Sequence, residues 1–410
     1  MRVGFGEDLE IMSEIPYPTE ERHSSKRLIL PSLTISRFVT RSPGVITSLL
    51  LIDIGRTFGS SVGITAQIIT VASSVTAIFA LIIGALSVRV SHKSLLLTGI
   101  SFYCISAIGC AFAPTFTILL VFYSISGLGL GMIAPMMYTL IAAYFPLEQR
   151  TSAIGWAFTG ASLASIIGAP IIGIMAGFKG WRFAFMGFLL PISLLSLILV
   201  LKGLPSLIQN PPSDKGKYLD GFKLVFSNSS AMACVGGSAL GMAATQAIGL
   251  YSVSFIRERY SVPLEFASLL ILGTAVCSIL GNQVSGRTVN KFGRQPVTVL
   301  MTFVTGVFII TYMIMPNLWL ALAFVLLGRM FSSIMFTAGL SLTLEQVPGF
   351  RSVLMSLSVA IIYLGASIGA GIGGLSFLWL GYEGVGLSLG ALGIAAAILF
   401  YFLANDPTNT

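Results

Sequence analysis

Three arginines stand inside long apolar runs, Arg37, Arg41 and Arg329. A charge at the centre of a bilayer costs at least about 2.5–3.5 kcal/mol, so such residues mark substrate or ion paths. A guanidinium stays protonated and presents its donors as a planar fork, the geometry that grips a carboxylate or another oxyanion through two parallel hydrogen bonds. Arg37 and Arg41 are four apart, hence on one helical face, and Arg41 falls near the middle of its run. For two of the three a role without ligand suffices. Arg37 can snorkel to the interface, and Arg329 can be held structurally by backbone carbonyls. Arg41 is too deep to snorkel.

The carboxylates give the complement. Of the 15 acids, six fall in the first 21 residues, and Glu148, Asp214, Asp220, Glu383 and Asp406 fall in loops or at the C-terminus. Asp53, Glu258, Glu265 and Glu345 sit only at the ends of apolar runs. No acid is placed to neutralise the arginines or to carry a proton at the midplane, so a cavity containing them is net positive and suits a small organic anion. Tyr123, Met137, Tyr138, Gln246, Tyr251 and Phe336 are further candidates for contact with that solute, although aromatics and methionines at helical spacing equally serve packing. Gln67 and Asn282 read as interhelical hydrogen-bonding residues.

Other chemistries lack their parts. The two histidines, His23 and His92, lie outside the apolar runs, which leaves no nucleophile–base or metal set for an intramembrane enzyme. There is no G-x-x-x-x-G-K-[ST] loop for an ATP-driven pump. Cys104, Cys110, Cys234 and Cys277 lie in apolar runs without metal-ligand spacing. No cofactor and no metal are expected.

The elements that must position these residues follow from composition. With 55% hydrophobic residues, 9% charged residues and a mean hydropathy of +0.93, the chain has too little polar surface for a soluble globule and must be solvated by lipid. The net charge of +8 is dispersed in short clusters between apolar runs, the pattern of membrane loops rather than of a nucleic-acid surface. About 20 helical residues cross the hydrocarbon. Spans are predicted near 29–53, 61–87, 94–112, 116–144, 152–177 and 182–202, then 231–256, 264–286, 297–315, 318–345, 352–378 and 384–404. The predicted fold is an all-α membrane protein of twelve transmembrane helices, arranged as two six-helix pseudo-symmetric halves around a central cavity. Its divisions are a tail over 1–28, a half over 29–203, a linker over 204–230, a half over 231–404 and a tail over 405–410. With the N-terminus cytoplasmic, fifteen lysines and arginines fall inside and five outside, so the positive-inside rule puts both termini in the cytoplasm of a cell bounded by this plasma membrane. The tail lacks the apolar core of a cleavable signal.

The halves repeat. Gly84 to Lys93 returns as Gly286 to Gln295, each copy a glycine followed by a basic turn between apolar runs. Pro146 and Arg150 answer to Pro348 and Arg351, and Gly168, Pro170 and Gly173 answer to Gly369, Gly371 and Gly374 at an offset of 201. Two halves of six spans in the same direction are parallel repeats about an axis along the membrane normal.

In this arrangement the chain resembles the major facilitator superfamily of solute transporters over roughly residues 28–404. That family's loop between its second and third helices reads G-x-x-x-D-[RK]-x-G-[RK]-[RK]. Gly84, Arg89, His92 and Lys93 match it loosely, with Val88 in place of the acid. Gly286, Lys291, Gly293 and Arg294 match it well, with Asn290 at the acid's position. The resemblance implies a rocker-switch transporter whose first, fourth, seventh and tenth helices line the cavity. It implies gating or interface roles for Gly84, Arg89, Lys93, Arg150, Gly168, Pro170, Gly173, Gly286, Asn290, Lys291, Gly293 and Arg294. The run Gly160 to Gly173 and the following Gly180-Trp181-Arg182-Phe183 are similar to the drug/proton antiporter branch, although the arginine that branch carries four residues before Gly127 is Tyr123 here. Expected partners are a small-molecule substrate and the lipid bilayer, with the chain acting as a monomer. Two alternatives stay open: proton-driven efflux of drugs or metabolites, and a non-transporting membrane sensor.

Overall fold

A computed structural model describes residues 23–86, 90–145, 147–204, 223–347 and 351–407, with backbone alone at 23–27, 84–86, 138–139, 142–143, 147–155, 158, 351–353 and 355–356. Lipid offers no hydrogen-bonding partner to the backbone, so a chain this apolar must satisfy its peptide groups within helices. Among the described residues eleven helices are long and apolar enough to cross a membrane. The last of them contains two crossings, because Arg351–Leu403 runs for 53 residues and breaks at Gly381 (φ 60°, ψ −148°). Only glycine adopts such a conformation readily.

In the N-terminal half, α1 is His23–Phe58. Helix α2 starts as Val62–Thr65 and continues as Gln67–Leu86, α3 is His92–Phe112 and α4 is Phe116–Tyr144. Helix α5 runs over Leu147–Ile166 and resumes at Gly168–Lys179. Helix α6 comprises Trp181–Ala184, a π-helical stretch Phe185–Leu189, and Leu190–Gly203. In the C-terminal half, α7 comprises Ser229–Gln246, a π-helical stretch Ala247–Tyr251, and Ser252–Tyr260. Helix α8 is Leu264–Phe292, α9 is Arg294–Ile314 and α10 is Leu318–Glu345. Helices α11 and α12 are the parts of Arg351–Leu403 before and after Gly381.

Two predicted boundaries move furthest, by six residues each, at the start of α1 and the end of α8. Helix α1 begins at His23, six residues before its predicted span, because its polar first turns lie outside the hydrocarbon and carry no hydropathy signal. The second copy of the repeated loop is largely helix. Gly286, Asn290 and Lys291 belong to the last turns of α8, and the reversal is confined to Gly293 (φ 85°), whose N–H donates to Val289 O. In the first copy Gly84 closes α2, Val88 and Arg89 fall outside the described residues, and Lys93 opens α3. Ser91 caps that helix by accepting from Ser94 N, and Lys93 Nζ donates to the carbonyls of Leu201 and Leu204 at the end of α6. The side chain of Arg150 also lies outside the described set.

Within each half the helices meet where side chains vanish. A Cβ on Gly129 would lie 2.6 Å from Gly99 O, which sets the approach of α4 to α3, and one on Gly306 would lie 2.8 Å from Gly390 O between α9 and α12. Without a hydrophobic drive between helices in lipid, such backbone contact supplies the packing energy.

Among the glycines paired by the repeat, Gly173 and Gly374 take equivalent positions, whereas Gly168 and Gly369 meet different neighbours. A Cβ on Gly168 would meet Phe188 of its own half, and one on Gly369 would meet Ala243 of its own half. One on Gly173 would sit 3.3 Å from Ser268 Cβ of α8 in the other half, and one on Gly374 would sit 2.6 Å from Gly63 O of α2 in the other half. The halves therefore join along two related seams, α5 with α8 and α2 with α11. Pro170 leaves Ile166 O without its helical donor, and α5 breaks beside it at Ile167. A side chain forced into a close backbone contact is an overpacking change, so Gly129→Leu, at the α3–α4 contact within the N-terminal half, is expected to cost about 1–3 kcal/mol, read as a lower thermal midpoint in detergent.

Candidate functional site

A cavity of about 470 Å³ lies between the halves, lined by residues from the middle stretches of the membrane-spanning helices. Helices α1, α2, α3, α4 and α5 supply one wall, and α7, α8, α10 and α11 supply the other. Arg41 projects into it from α1 and is exposed to it, and no hydrogen bond or ion pair engages its guanidinium among the described residues. Arg329 enters from α10, half-buried, and its Nε donates to Ser278 Oγ of α8 at 2.7 Å. The two charges are near enough to act on each other, and they also border a second chamber of about 40 Å³ with Ser48, Ser252 and Thr274. No aspartate, glutamate, lysine or histidine lines the main cavity among the described residues.

Around the arginines the lining is mixed. Tyr123 forms part of the wall with its hydroxyl accepting from Thr47 Oγ1 at 2.9 Å, and Gln246 and Phe336 line the opposite half. Gln246 makes no side-chain hydrogen bond among the described residues, and it stands directly before the π-helical stretch of α7, where the widened turn presents Gly249 and Leu250 to the cavity.

Arg37, one turn nearer the N-terminus, is half-buried and outside the lining. Tyr251 is fully buried, and its hydroxyl donates to Ala370 O at 2.9 Å, tying α7 to α11 away from the cavity. The side chain of Tyr138 lies outside the described residues. Sequence reasoning missed Tyr103 and Tyr363, which line the cavity from α3 and α11. Neither carries a charge within an apolar run, so only the helix register reveals them. Asn282 lines the cavity while its Oδ1 accepts from Thr337 Oγ1 at 3.0 Å, so it serves as interhelical partner and wall at once.

Beyond the cavity, on the side away from the termini, an ion pair spans the halves. Arg257 at the end of α7 holds Asp53 of α1 through both guanidinium nitrogens, at 2.5 and 3.1 Å, and also donates to Leu49 O at 3.3 Å. Helix α1 departs from helical geometry at Leu50 (φ −108°, ψ 18°), between Arg41 and this clasp. At midplane Ser74 and Ser367 hydroxyls meet 2.6 Å apart across the α2–α11 seam. The tryptophan and arginine that follow α5 brace the same end of the N-terminal half. Trp181 Nε1 donates to Thr57 Oγ1 at 2.8 Å, and Arg182 donates to Ala113 O at 2.9 Å over the Trp181 ring.

Two six-helix halves enclosing a polar mid-depth cavity, joined along two symmetric seams, form the architecture of a membrane transporter with alternating access. The description "Major Facilitator Superfamily" matches residues 33–281 and 237–410, and the chain belongs to that family. An uncharacterized MFS-type transporter of Bacillus subtilis (strain 168), YceJ, is 25% identical over 308 residues, covering 73% of this chain and 77% of the relative. A D-xylose-proton symporter shares the fold with a TM-score of 0.77 at 15% identity, covering 94% of this chain and 99% of that one. The nucleoside transporter NupG, as a D323A mutant, superposes with a TM-score of 0.74 at 16% identity, over 92% and 100% of the two chains. A bacterial homologue of the human lysosomal transporter Spinster, inward-facing and occupied, gives 0.75 at 16% identity, over 96% and 99%.

The Asp53–Arg257 clasp is partly solvated, so its worth is about 1 kcal/mol. Arg257→Ala is expected to shift the population about fivefold toward opening on that face, measured as faster labelling of a cysteine placed at Ser252.

Proposed function

We propose that this protein moves a small organic anion across the plasma membrane by rocking its two halves about the central cavity. The observation that carries the reading is Arg41, a guanidinium with no partner among the described residues, aimed into a cavity whose lining contains a second arginine and no acid. One arginine comes from each half, so a single bound oxyanion is contacted from both sides and can be handed from one access state to the other. Tyr123, Tyr363, Met242 and Phe336 supply apolar and aromatic area for the body of the solute, which points to an acid with a carbon skeleton rather than a bare inorganic ion. Gly173 and Gly374 act in this reading as bearing surfaces of the rocking motion, and both termini lie on the cytoplasmic face.

A second reading has one observation in its favour. The run Gly160 to Gly173 and the following Gly180-Trp181-Arg182-Phe183 are similar in sequence to the drug/proton antiporter branch, which favours proton-driven efflux. Such coupling needs a titrating group, and Asp53, engaged by Arg257 outside the cavity, is the nearest candidate in α1.

Uptake into proteoliposomes loaded with p-toluenesulfonate distinguishes the two. Benzoate, p-toluenesulfonate and phenyl phosphate are expected to be carried, with uptake falling about tenfold or more in Arg41→Ala, as for loss of a charged hydrogen-bonding partner. Transport of cationic dyes that is driven by a pH gradient and indifferent to Arg41→Ala would refute the anion site. Arg329→Gln is expected to change the order of preference among the three anions while retaining a normal thermal midpoint. A lowered midpoint with unchanged preference would assign Arg329 to structure alone.

A further inference from the structure

We propose that transport is an obligatory exchange of one anion for another, because the two halves cannot change access around an empty cavity. The inference rests on the anion reading of the site. An alternating-access cycle has two passages, one loaded and one returning, and each passes through a state closed on both sides. In that state the cavity loses contact with bulk water, and every charge in it must be compensated from within.

The described lining cannot compensate its own charges. Arg41 and Arg329 bring two permanent positive charges, and arginine does not shed its proton in proteins. The lining contains no acid, Arg41 has no protein acceptor among the described residues, and Arg329 has one neutral hydroxyl at Ser278. The arginines lie on opposite halves and act on each other, so drawing the halves together on an empty cavity raises their mutual repulsion while removing the water that screens it. The distal chamber offers little relief. Its hydroxyls Ser48 and Thr274 donate to Val45 O and Ile271 O of their own helices, and the space of about 40 Å³ holds few waters. A bound anion reverses the balance, because its charge lies between the two guanidinium groups and both passages then carry a neutralised site.

A proton cannot substitute for the anion on the return passage. Protonation neutralises a carboxylate, and the described lining has none. The consequence is a transporter whose net flux in either direction requires an anion on the other side, and whose driving force is the gradient of that second anion.

The test uses the purified wild-type protein in proteoliposomes loaded with tritiated p-toluenesulfonate, a permanent anion that neither titrates nor leaks as a neutral acid. Potassium is equal on both sides with valinomycin present, and polyglutamate, too large for the cavity, is the only external anion. Adding external p-toluenesulfonate is expected to accelerate tracer efflux about a hundredfold, the factor set by one uncompensated charge at membrane depth. Equal efflux with and without the external anion overturns exchange. Binding is measured separately by the shift in thermal midpoint of the detergent-solubilised protein with p-toluenesulfonate, benzoate or phenyl phosphate. No shift with any of them overturns the anion site and exchange with it, whereas a shift accompanied by unassisted efflux removes exchange alone. Asn282→Asp puts one negative charge into the lining with little change of shape, and it is expected to lower the ratio of assisted to unassisted efflux about tenfold. An unchanged ratio in a folded variant counts against the electrostatic cause.

Discussion

A guanidinium can sit at the depth of the hydrocarbon only where something polar reaches it, and in this protein Arg41 and Arg329 both open onto the cavity between the halves. Much of the surrounding architecture meets that condition. Helix α1 carries the arginine at mid-depth, α10 brings the second from the opposite half, and the π-helical stretch of α7 widens the wall where Gln246 and Gly249 face them. Were the halves fused into one tightly packed bundle, both charges would be stranded.

The proposed rocking about that cavity requires surfaces along which the halves can part and meet. Gly173 against Ser268 and Gly374 against Gly63 form such surfaces, related by the internal repeat, with the Gln67 and Phe377 side chains packed into the second of them. Backbone and small hydroxyl groups, such as the Ser74–Ser367 pair, make further contacts there. Farther from the termini the Asp53–Arg257 clasp adds a stronger but localised connection, and the irregular turn at Leu50 places a joint between that clasp and Arg41.

Much of this was legible before any coordinate. Apolar run lengths specified the crossings, because lipid forces the backbone into helices, and the 201-residue offset matched Gly173 with Gly374, which take equivalent places in the two seams. Arg41, Arg329, Tyr123, Gln246 and Phe336 came to one cavity, since charge and polarity inside an apolar run leave few other places to go. What could not be read depends on rotation about helix axes. Tyr251 and Tyr363 are alike in sequence terms, yet one donates to Ala370 O in the core and the other lines the cavity. The helical course of α8 through Asn290 was also hidden, because polar residues at a helix end look the same as polar residues in a turn.

Gly381 separates α11 from α12 with a single residue, and that economy has a mechanical meaning. Helix α11 carries Tyr363 in the cavity wall and Ser367 and Gly374 in the seam, whereas α12 presents Ile398, Tyr401 and Phe402 on its outer surface. A joint of one residue leaves no slack, so a tilt of the inner helix is imposed on its outer neighbour and from there on the acyl chains beside it. In the proposed rocking cycle part of the work of each turnover would therefore be done against the bilayer, and the thickness and lateral pressure of the surrounding membrane would enter its energetics beside the solute itself.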